Sequence, residues 1–370
     1  MKSSTCKIGF LTDLHMGKPR ISPAMVRDNL ARLFYPRMPE MDLIVLGGDF
    51  FDYALSMNSD AGVHAAMIID EMLHIAKVNN IYVRVVTGTL FHDRHQNKFF
   101  SIKAKGMGSY KGVPLVRVFK TVELEHIKPL NLSIVYCPDN QTGDHTELVL
   151  ALLKSHRVNK VDFLCSHGYF EYLLPKGIPH MPPNMLNYRA LNPYISGLIL
   201  NGHVHIPIIH KKLISGGSFE RLAHGEEHDK GYHIITYNTK THKSSVEFVV
   251  NDGAIPFITI PVARYDSVDQ CVREVEGIIA KIRMDQGDNK PIHIRLSELT
   301  GTDDFMLRYL NDKYDNVIVT IKTSGSQDTP CELDEVIQTL PVITEENLPE
   351  LVYENIKDQD ITLNEIKEFL

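Results

Sequence analysis

Aspartate and histidine recur at five places along the chain, each directly after a short apolar run. They are Asp13 and His15 in FLTDLHMG, Asp49 in LIVLGGDFFD, His92 and Asp93 in VVTGTLFHDRH, His167 in FLCSHGYF, and His203 with His205 in LILNGHVHIP. Mixed carboxylate and imidazole ligands suit Mn, Fe or Zn better than an all-oxygen magnesium site does. One such fragment alone is more often a hydrogen-bonded structural feature. Their recurrence predicts a divalent metal site.

The apolar runs before these residues have the length and composition of β-strands. Rich in Val, Ile and Leu, they predict strands at residues 7–11, 43–46, 82–86, 132–136, 163–165, 197–200 and 233–237. Apolar stripes at helical spacing predict helices over 22–35 and 61–76. Because loops at the carboxyl ends of strands converge on one crevice in open α/β architectures, we expect the aspartates and histidines to meet there.

A second, smaller domain is predicted after residue 253. A β-α-β-α-β rhythm runs through residues 257–262, 268–282, 291–296, 303–310 and 316–323. We therefore expect three parts, at 1–253, 254–325 and 326–370, the last a linker followed by two amphipathic helices. Thr362 and Glu365 have the spacing of a capping box at the start of the final helix.

The overall composition neither indicates nor excludes a nucleic-acid-binding protein. The formal net charge of −7 over 370 residues differs from the basic surface that nucleic-acid-binding proteins usually have. Cations at a metal site supply positive charge of their own, and a carboxylate-rich site makes the chain acidic.

The cysteines and the apolar runs bear on the cellular compartment. Cys6, Cys137, Cys165, Cys271 and Cys331 show no CxxC spacing, which disfavours a zinc ribbon or a disulfide framework and indicates reduced thiols. No signal sequence precedes Cys6, and no apolar run reaches the roughly 20 residues of a membrane span. We expect a cytoplasmic protein that does not enter the membrane.

The order of the five segments resembles the signature of calcineurin-like metallophosphoesterases. Their pattern is Asp-x-His, Gly-Asp-x-x-Asp, Gly-Asn-His-Asp, His and Gly-His-x-His, which GFLTDLHMG, GGDFFD, GTLFHD, SHG and NGHVHIP resemble over residues 7–237. The resemblance implies an α/β fold: a layered β-sandwich flanked by helices, with a smaller α+β capping domain and a helical C-terminal tail. It also implies two divalent ions. Mn is favoured, with Mg, Fe or Zn as alternatives.

The resemblance also implies roles for individual residues. It makes Asp13, His15, Asp49 and His205 ligands of one metal, and has Asp49 bridge to a second metal held by His167 and His203. His92 would contact the scissile phosphate and assist the leaving oxygen, with Asp93 orienting its ring. The alternative for His92 is that it merely caps a turn.

The third motif departs from the family pattern. Thr89, Leu90 and Phe91 separate Gly88 from His92, and the asparagine that ligates the second metal in the family is missing. Phe91 cannot ligate and Thr89 would do so only weakly. The second metal is therefore expected to be loosely held, or completed by water or by the substrate phosphate.

Further resemblance concerns the branch of the superfamily. SGGSFERLAHGEEHDKG, at residues 215–231, is similar to a stretch of SbcD-type DNA nuclease subunits, although its glycines also fit an ordinary turn-rich connection. Tyr53 after Asp52, and His-Asp at 92–93, disfavour the protein phosphatases. The SbcD-type reading implies an endo- and exonuclease in DNA repair, recombination or replication, in a bacterial cell or a phage-infected host. It also implies a homodimer and an SbcC-type coiled-coil ATPase bound through residues 345–370, which otherwise would pack on the protein's own surface.

Two other functions remain open at this point. One is a phosphodiesterase or phosphatase of small nucleotides, since fold and site do not name a substrate. The other is a DNA-end-binding scaffold in which the altered loop from Gly88 to Asp93 has abolished catalysis.

Overall fold

Three larger sheets, two two-stranded pairs, eight α-helices and two 3-10 helices, Tyr35–Glu40 and Asn192–Tyr194, are present in the residues that the structure describes. The computed structural model describes residues 4–93, 96–139, 141–173, 185–261, 267–287, 290–297 and 304–321. The strands are β1 Thr5–Leu11, β2 Leu43–Leu46, β3 Tyr82–Val86, β4 Ser109–Tyr110, β5 Val113–Pro114, β6 Val116–Phe119, β7 Glu123–Ile127, β8 Leu132–Cys137, β9 Val161–His167, β10 Tyr169–Phe170, β11 Met185–Leu186, β12 Ile195–Gly202, β13 Ile208–His210, β14 Leu213–Ser215, β15 Gly231–Asn238, β16 Ser244–Val250, β17 Phe257–Pro261, β18 Ile292–Ser297 and β19 Val317–Ile321. The two-stranded pairs are β4–β5 and β10–β11.

The longer helices begin at side chains that accept a hydrogen bond from the first turn. The helices are α1 Pro23–Leu33, α2 Asp60–Asn79, α3 Leu90–Asp93, α4 Lys98–Ala104, α5 His145–Ser155, α6 Tyr188–Leu191, α7 Val268–Gln286 and α8 Asp304–Lys313. Ser22 caps α1, Ser59 caps α2, Asp144 caps α5 and Ser267 caps α7. Each cap satisfies a backbone N–H that the helix leaves unpaired. Among the helices of the described residues, none combines the length and apolar character that crossing a membrane requires.

Two six-stranded mixed sheets form the larger part of the fold. The first has the order β16-β15-β1-β2-β3-β6, and the second β13-β14-β12-β9-β8-β7. Strands β1, β2, β3 and β6 run parallel, as do β8, β9, β12 and β14. The carboxyl ends of parallel neighbours lie at one edge of a sheet, so the loops that follow β1, β2 and β3 are brought together, as are those after β9 and β12.

One hydrophobic cluster contains residues of both large sheets, so the sheets face each other across it. Phe119 of β6 stacks on Tyr136 of β8 with ring centroids 3.6 Å apart. Alternate residues of β8, such as Val135, join a second cluster with α5 on the opposite face. This alternation is the two-residue period of a strand buried on both faces.

A third, parallel sheet of β17, β18 and β19 has its own hydrophobic cluster with α7 and α8. Contacts nevertheless group the described residues into one compact unit. The predicted boundaries at 253 and 325 stay predictions. The predicted tail at 326–370, with its capping box at Thr362 and its partner-binding segment, lies outside the described residues.

The α/β class is confirmed, and the elements predicted from apolar pattern are present. All seven predicted strands, both helices and the five elements of the smaller domain occur within a few residues of the expected bounds. Caps account for the differences in helix length: α2 begins after Ser59, and Asn80 ends it in the left-handed conformation. The four cysteines among the described residues, Cys6, Cys137, Cys165 and Cys271, are buried free thiols.

Candidate metal centre

The structure brings the predicted ligands into one cluster at the carboxyl ends of five strands. Asp13 and His15 follow β1, Asp49 follows β2, His92 lies on the helical turn α3 after β3, His167 ends β9, and His203 and His205 follow β12. Their ligand atoms form three overlapping groups, each with all atoms within 4.8 Å of one another: Asp13 with His15 and His205, His15 with Asp49 and His92, and Asp49 with His167 and His203. Buried aspartate and histidine side chains that could hold a metal ion are thus present.

Four of these residues adopt a left-handed backbone conformation that side chains other than glycine rarely take. The φ angles are 53° for Asp13, 45° for His15, 48° for Asp49 and 85° for His203. Such positions cost on the order of 1–3 kcal/mol each and persist where the surrounding structure holds them. Here the backbone N–H of Asp13 donates to the carbonyl of Gly48, and that of His15 to the carbonyl of Asp49. The strain therefore coincides with the residues that point into the cluster.

Glycines let the ligand loops approach one another closely. A Cβ added at Gly88 would overlap the carboxylate of Asp49, and one added at Gly202 would overlap the carbonyl of Gly47. Both positions admit only a hydrogen. The first glycine of GTLFHD and the glycine of the Gly-His step thus have a packing reason as well as a motif to match.

Hydrogen bonds at Nδ1 orient three of the imidazole rings. The pairs are His15 with Asp52 Oδ1 at 3.0 Å, His205 with Glu226 Oε1 at 2.8 Å, and His167 with the carbonyl oxygen of Gly47 at 2.7 Å. Because these partners are acceptors, each Nδ1 donates its proton to them, and Nε2 is the nitrogen that faces the cluster. This is the arrangement that metal-binding histidines require.

Among the described residues, no hydrogen-bond donor faces the Nε2 atoms of His15, His203 and His205. Those of His15 and His205 lie 3.2 Å apart, and each is within 3.9 Å of Asp13 Oδ1. With both Nδ1 atoms protonated, two lone pairs face each other there. The Nε2 atom of His203 is buried without a hydrogen-bond partner among the described residues. A buried lone pair that lacks a donor is costly, and a cation removes the cost. The residues present therefore fit divalent metal.

Asp49 lies at the centre of the cluster. Its Oδ1 accepts the backbone N–H of Thr89 at 2.7 Å, its Oδ2 accepts the Thr89 hydroxyl at 2.7 Å, and Oδ2 is 3.1 Å from His167 Nε2. Burial alone would raise the pKa of Asp49, but the neighbouring His167 and His92 hold it well below the usual range. Burial alone would likewise lower the pKa of His167, and Asp49 instead raises it to about 10. The carboxylate is thus an anion that attracts a proton or a metal ion.

His92 and Asp93 have different surroundings. The His92 ring lies edge-on to that of His15, with centroids 4.6 Å apart, and its Nδ1 pairs with the carbonyl oxygen of Asp52. The oxygens of Asp93 accept hydrogen bonds from the backbone of Phe50, Phe51 and Gly88 and from the side chain of Asn97. Asp93 therefore ties the loop after β2 to the loop after β3. That Asp93 orients the His92 ring stays a prediction. In the structure, the hydrogen-bond partner of His92 Nδ1 is the backbone carbonyl oxygen of Asp52.

Sequence reasoning missed the carboxylates that support the ligands. Asp52 binds His15, and Glu226 binds His205 while accepting a hydrogen bond from the fully buried Lys230 at 2.7 Å. Burial would raise the pKa of Glu226, but His205 and Lys230 lower it strongly. The signals were present, since Asp52 is the second aspartate of GGDFFD, and Glu226 with Lys230 lies in SGGSFERLAHGEEHDKG.

Comparisons with known proteins add little to this geometry. No protein-family model and no curated protein matches the chain. A crystal structure of an uncharacterised protein aligns with a TM-score of 0.35 and 14% identity, covering 66% of this chain and 99% of its own. GAP50, the anchor in the inner membrane complex of Plasmodium, aligns with a TM-score of 0.35 and 11% identity, covering 67% of this chain and 85% of its own. Likenesses this weak carry no argument about fold or function.

Proposed function

We propose that this chain is a two-metal phosphodiesterase, and specifically a DNA endo- and exonuclease of the SbcD type. The observation that carries the proposal is the convergence of six aspartate and histidine ligands, five of them buried and His205 half-buried, into two triads, Asp13–His15–His205 and Asp49–His167–His203, with Asp49 within reach of both. Two triads side by side are the arrangement that two-metal hydrolysis of phosphate esters requires. The mixed ligand set favours Mn, with Mg, Fe or Zn as alternatives.

The residues of the cluster would have different roles in the reaction. Each triad would hold one divalent ion, and the pair would supply Lewis-acid stabilisation of the phosphate and acidification of water. Asp52 and Glu226 keep the Nδ1 protons of His15 and His205 in place, so that the Nε2 atoms remain ligands. His92, beside His15, would contact the phosphate and assist departure of the leaving oxygen.

Side chains around the cluster favour a nucleic acid over a simple phosphate ester. Tyr53, Leu90 and Ile206 are 42%, 52% and 39% exposed, and in the chain they lie one residue from Asp52, two residues from His92 and one residue from His205. An exposed aromatic ring such as that of Tyr53 can stack an unpaired base. Lys18 lies 3.3 Å from Asp52, and its partly exposed ammonium group suits a neighbouring backbone phosphate.

Metal-dependent cleavage of DNA tests the proposal. Purified full-length chain with Mn should cut linear DNA and also hydrolyse bis-p-nitrophenyl phosphate. Asp49→Asn should abolish both activities, while the exposed Asp70→Asn should leave both intact. Hydrolysis of the small ester without DNA cleavage would support the small-nucleotide phosphodiesterase instead. DNA-end binding with neither activity would support the scaffold.

The same proposal includes partners and a location. A homodimer, and an SbcC-type ATPase bound through residues 345–370, would act with the chain in a bacterial cell or a phage-infected host. Removing the residues after Pro341 should abolish ATPase binding while leaving hydrolysis of the small ester unchanged. Unaltered ATPase binding after the truncation would eliminate this part of the proposal.

A further inference from the structure

The two triads differ in what supports their histidines. In Asp13–His15–His205, both imidazoles donate Nδ1–H to a carboxylate, Asp52 for His15 and Glu226 for His205. In Asp49–His167–His203, the Nδ1 of His167 donates to the neutral carbonyl of Gly47. The imidazole of His203 has no carboxylate hydrogen-bond partner in the part of the chain that the structure describes; only its backbone N–H donates to a carboxylate, that of Asp13. A carboxylate behind an imidazole makes its other nitrogen more basic and fixes its orientation.

The support behind His205 is itself held firmly. Besides Glu226, the ammonium group of the fully buried Lys230 donates to Ser218 Oγ and to the carbonyl oxygen of His205, each at 2.8 Å. Glu226 also accepts the backbone N–H of Leu222 at 3.1 Å. With its oxygens hydrogen-bonded to this extent, Glu226 cannot turn away from His205, so the ring is fixed before any ion arrives.

The carboxylates of both triads accept hydrogen bonds. The hydroxyl of Thr89 donates to Asp49 Oδ2 at 2.7 Å, and its backbone N–H donates to Oδ1 at 2.7 Å. The hydroxyl of Thr12 and the backbone N–H of His203 donate to Asp13. The triads therefore differ in the support of their histidines and not in that of their carboxylates. Thr89 stands where the motif of the resembled family supplies an additional ligand, and in this chain it is a donor to the carboxylate instead.

We infer that the two triads bind divalent cations with unequal affinity, and that Asp13–His15–His205 fills first. This inference rests on the proposed metal centre and adds the order in which its two triads bind their ions. At low Mn concentration the protein would hold one ion, with Glu226 and Asp52 as the positioning residues responsible. The second triad would fill only at higher concentration, so the free metal concentration would control how much of the chain carries both ions.

Metal titration of the full chain tests this order. Metal-free protein is titrated with Mn²⁺ while calorimetry records the heat and electron paramagnetic resonance counts the unbound ion. We expect two steps whose dissociation constants differ by at least about tenfold. Glu226→Gln should weaken the tight step by about 10- to 100-fold and leave the weak step in place. His203→Gln should remove the weak step alone.

A second variant and a folding control distinguish a loss of metal affinity from a loss of folding. Asp52→Asn acts on His15 rather than His205 and serves as the second variant if Glu226→Gln does not fold, as circular dichroism would reveal. Two steps of equal affinity would overturn the inference, as would a tight step unchanged in both variants. A parent protein that binds no Mn²⁺ at all would instead overturn the metal centre on which the inference rests.

Discussion

At the scale of single residues, the histidines of the centre are distinguished by their partners. Those of the two triads present Nε2 to the cluster, and three of them have Nδ1 bound to an acceptor. His92 lies outside both triads and touches His15 with its ring edge. This position suits contact with a substrate that lies over the ions better than it suits holding an ion. The two kinds of histidine should therefore respond differently to substitution.

Replacing His92 by alanine should reduce catalysis without emptying the centre. Loss of a group that stabilises the phosphate or assists the leaving oxygen costs about 10²–10⁴ in kcat. Rates of DNA cleavage are compared with Mn content per chain, which should equal that of the parent. The exposed His74→Ala serves as the control. A His92→Ala protein that cuts as fast as the parent would remove His92 from the mechanism.

A second histidine, His233 of β15, is buried away from the centre. Its ring lies between those of Phe10 and Phe248, with centroids 6.4 and 4.9 Å away. Burial lowers the pKa of His233 to about 4. In the unfolded chain the same ring takes up a proton below about pH 6.5. Between these values the unfolded state binds more protons, so this residue reduces stability as the pH falls from about 6.5 to 4.

Substituting His233 by phenylalanine should weaken the acid sensitivity of the fold. The parent should lose about 2 kcal/mol between pH 7 and pH 4.5 through this ring alone, and His233→Phe should lose that much less. Urea unfolding at the two pH values measures the difference. The exposed His74→Phe should behave as the parent does. An equal loss in His233→Phe and in the parent would contradict the assignment.

At the scale of secondary structure, a buried ion pair joins the two large sheets. Arg84 of β3 is fully buried, and its Nε donates to Glu125 Oε2 of β7 at 2.7 Å. The same carboxylate accepts the hydroxyl of Tyr136 at 3.1 Å, and the Arg84 guanidinium donates to the carbonyls of Val83 and Leu115.

Breaking this pair should destabilise the protein more than replacing it. Arg84→Met alone leaves the buried Glu125 carboxylate with only the partly exposed Arg117 as its charge partner, and breaking a buried ion pair costs about 3–5 kcal/mol. The double variant Arg84→Met/Glu125→Leu should recover part of the loss, because the buried carboxylate is removed together with its buried partner. Chemical denaturation gives the three free energies of unfolding. If the free energy of unfolding of the double variant is lower than that of Arg84→Met, this account is contradicted.

At the scale of the whole molecule, the candidate metal centre is built from separate parts of the fold. Its ligands come from both large sheets, and the third sheet touches the loops nearby. His293 Nε2 of β18 pairs with the carbonyl oxygen of Arg20 at 3.3 Å, and the Thr259 N–H of β17 donates to Glu227 at 2.8 Å. Ions bound at the centre should therefore stabilise the assembled fold against global unfolding.

Addition of Mn should raise the thermal and chemical stability of the chain. A ligand that binds only the folded state contributes about 2.7 kcal/mol when present at 100 times its dissociation constant. Unfolding is followed with Mn and with a chelator. Asp49→Asn should lose most of the increase, whereas Asp70→Asn should retain it. Equal stability of the parent under both conditions would show that the cluster does not bind the ion.

The chain's sequence by itself determined the strands, the main helices and the positions of the ligands. Short Val-, Ile- and Leu-rich runs can only be buried strands, and polar residues at their ends must lie at a sheet edge. Asp13, Asp49 and His167 could therefore be assigned to one crevice from local pattern alone. The resemblance supplied the division into two metal positions, and the two triads have that grouping.

Only the tertiary structure decided how those ligands are supported. Glu226 meets His205 from 21 residues away, and Asp52 meets His15 from 37 residues away. Arg84 meets Glu125 only because the two sheets face each other. No local periodicity encodes such contacts, since they depend on the packing of whole sheets and on the angle at which each loop leaves its strand. For that reason the two triads look alike in sequence and differ in structure.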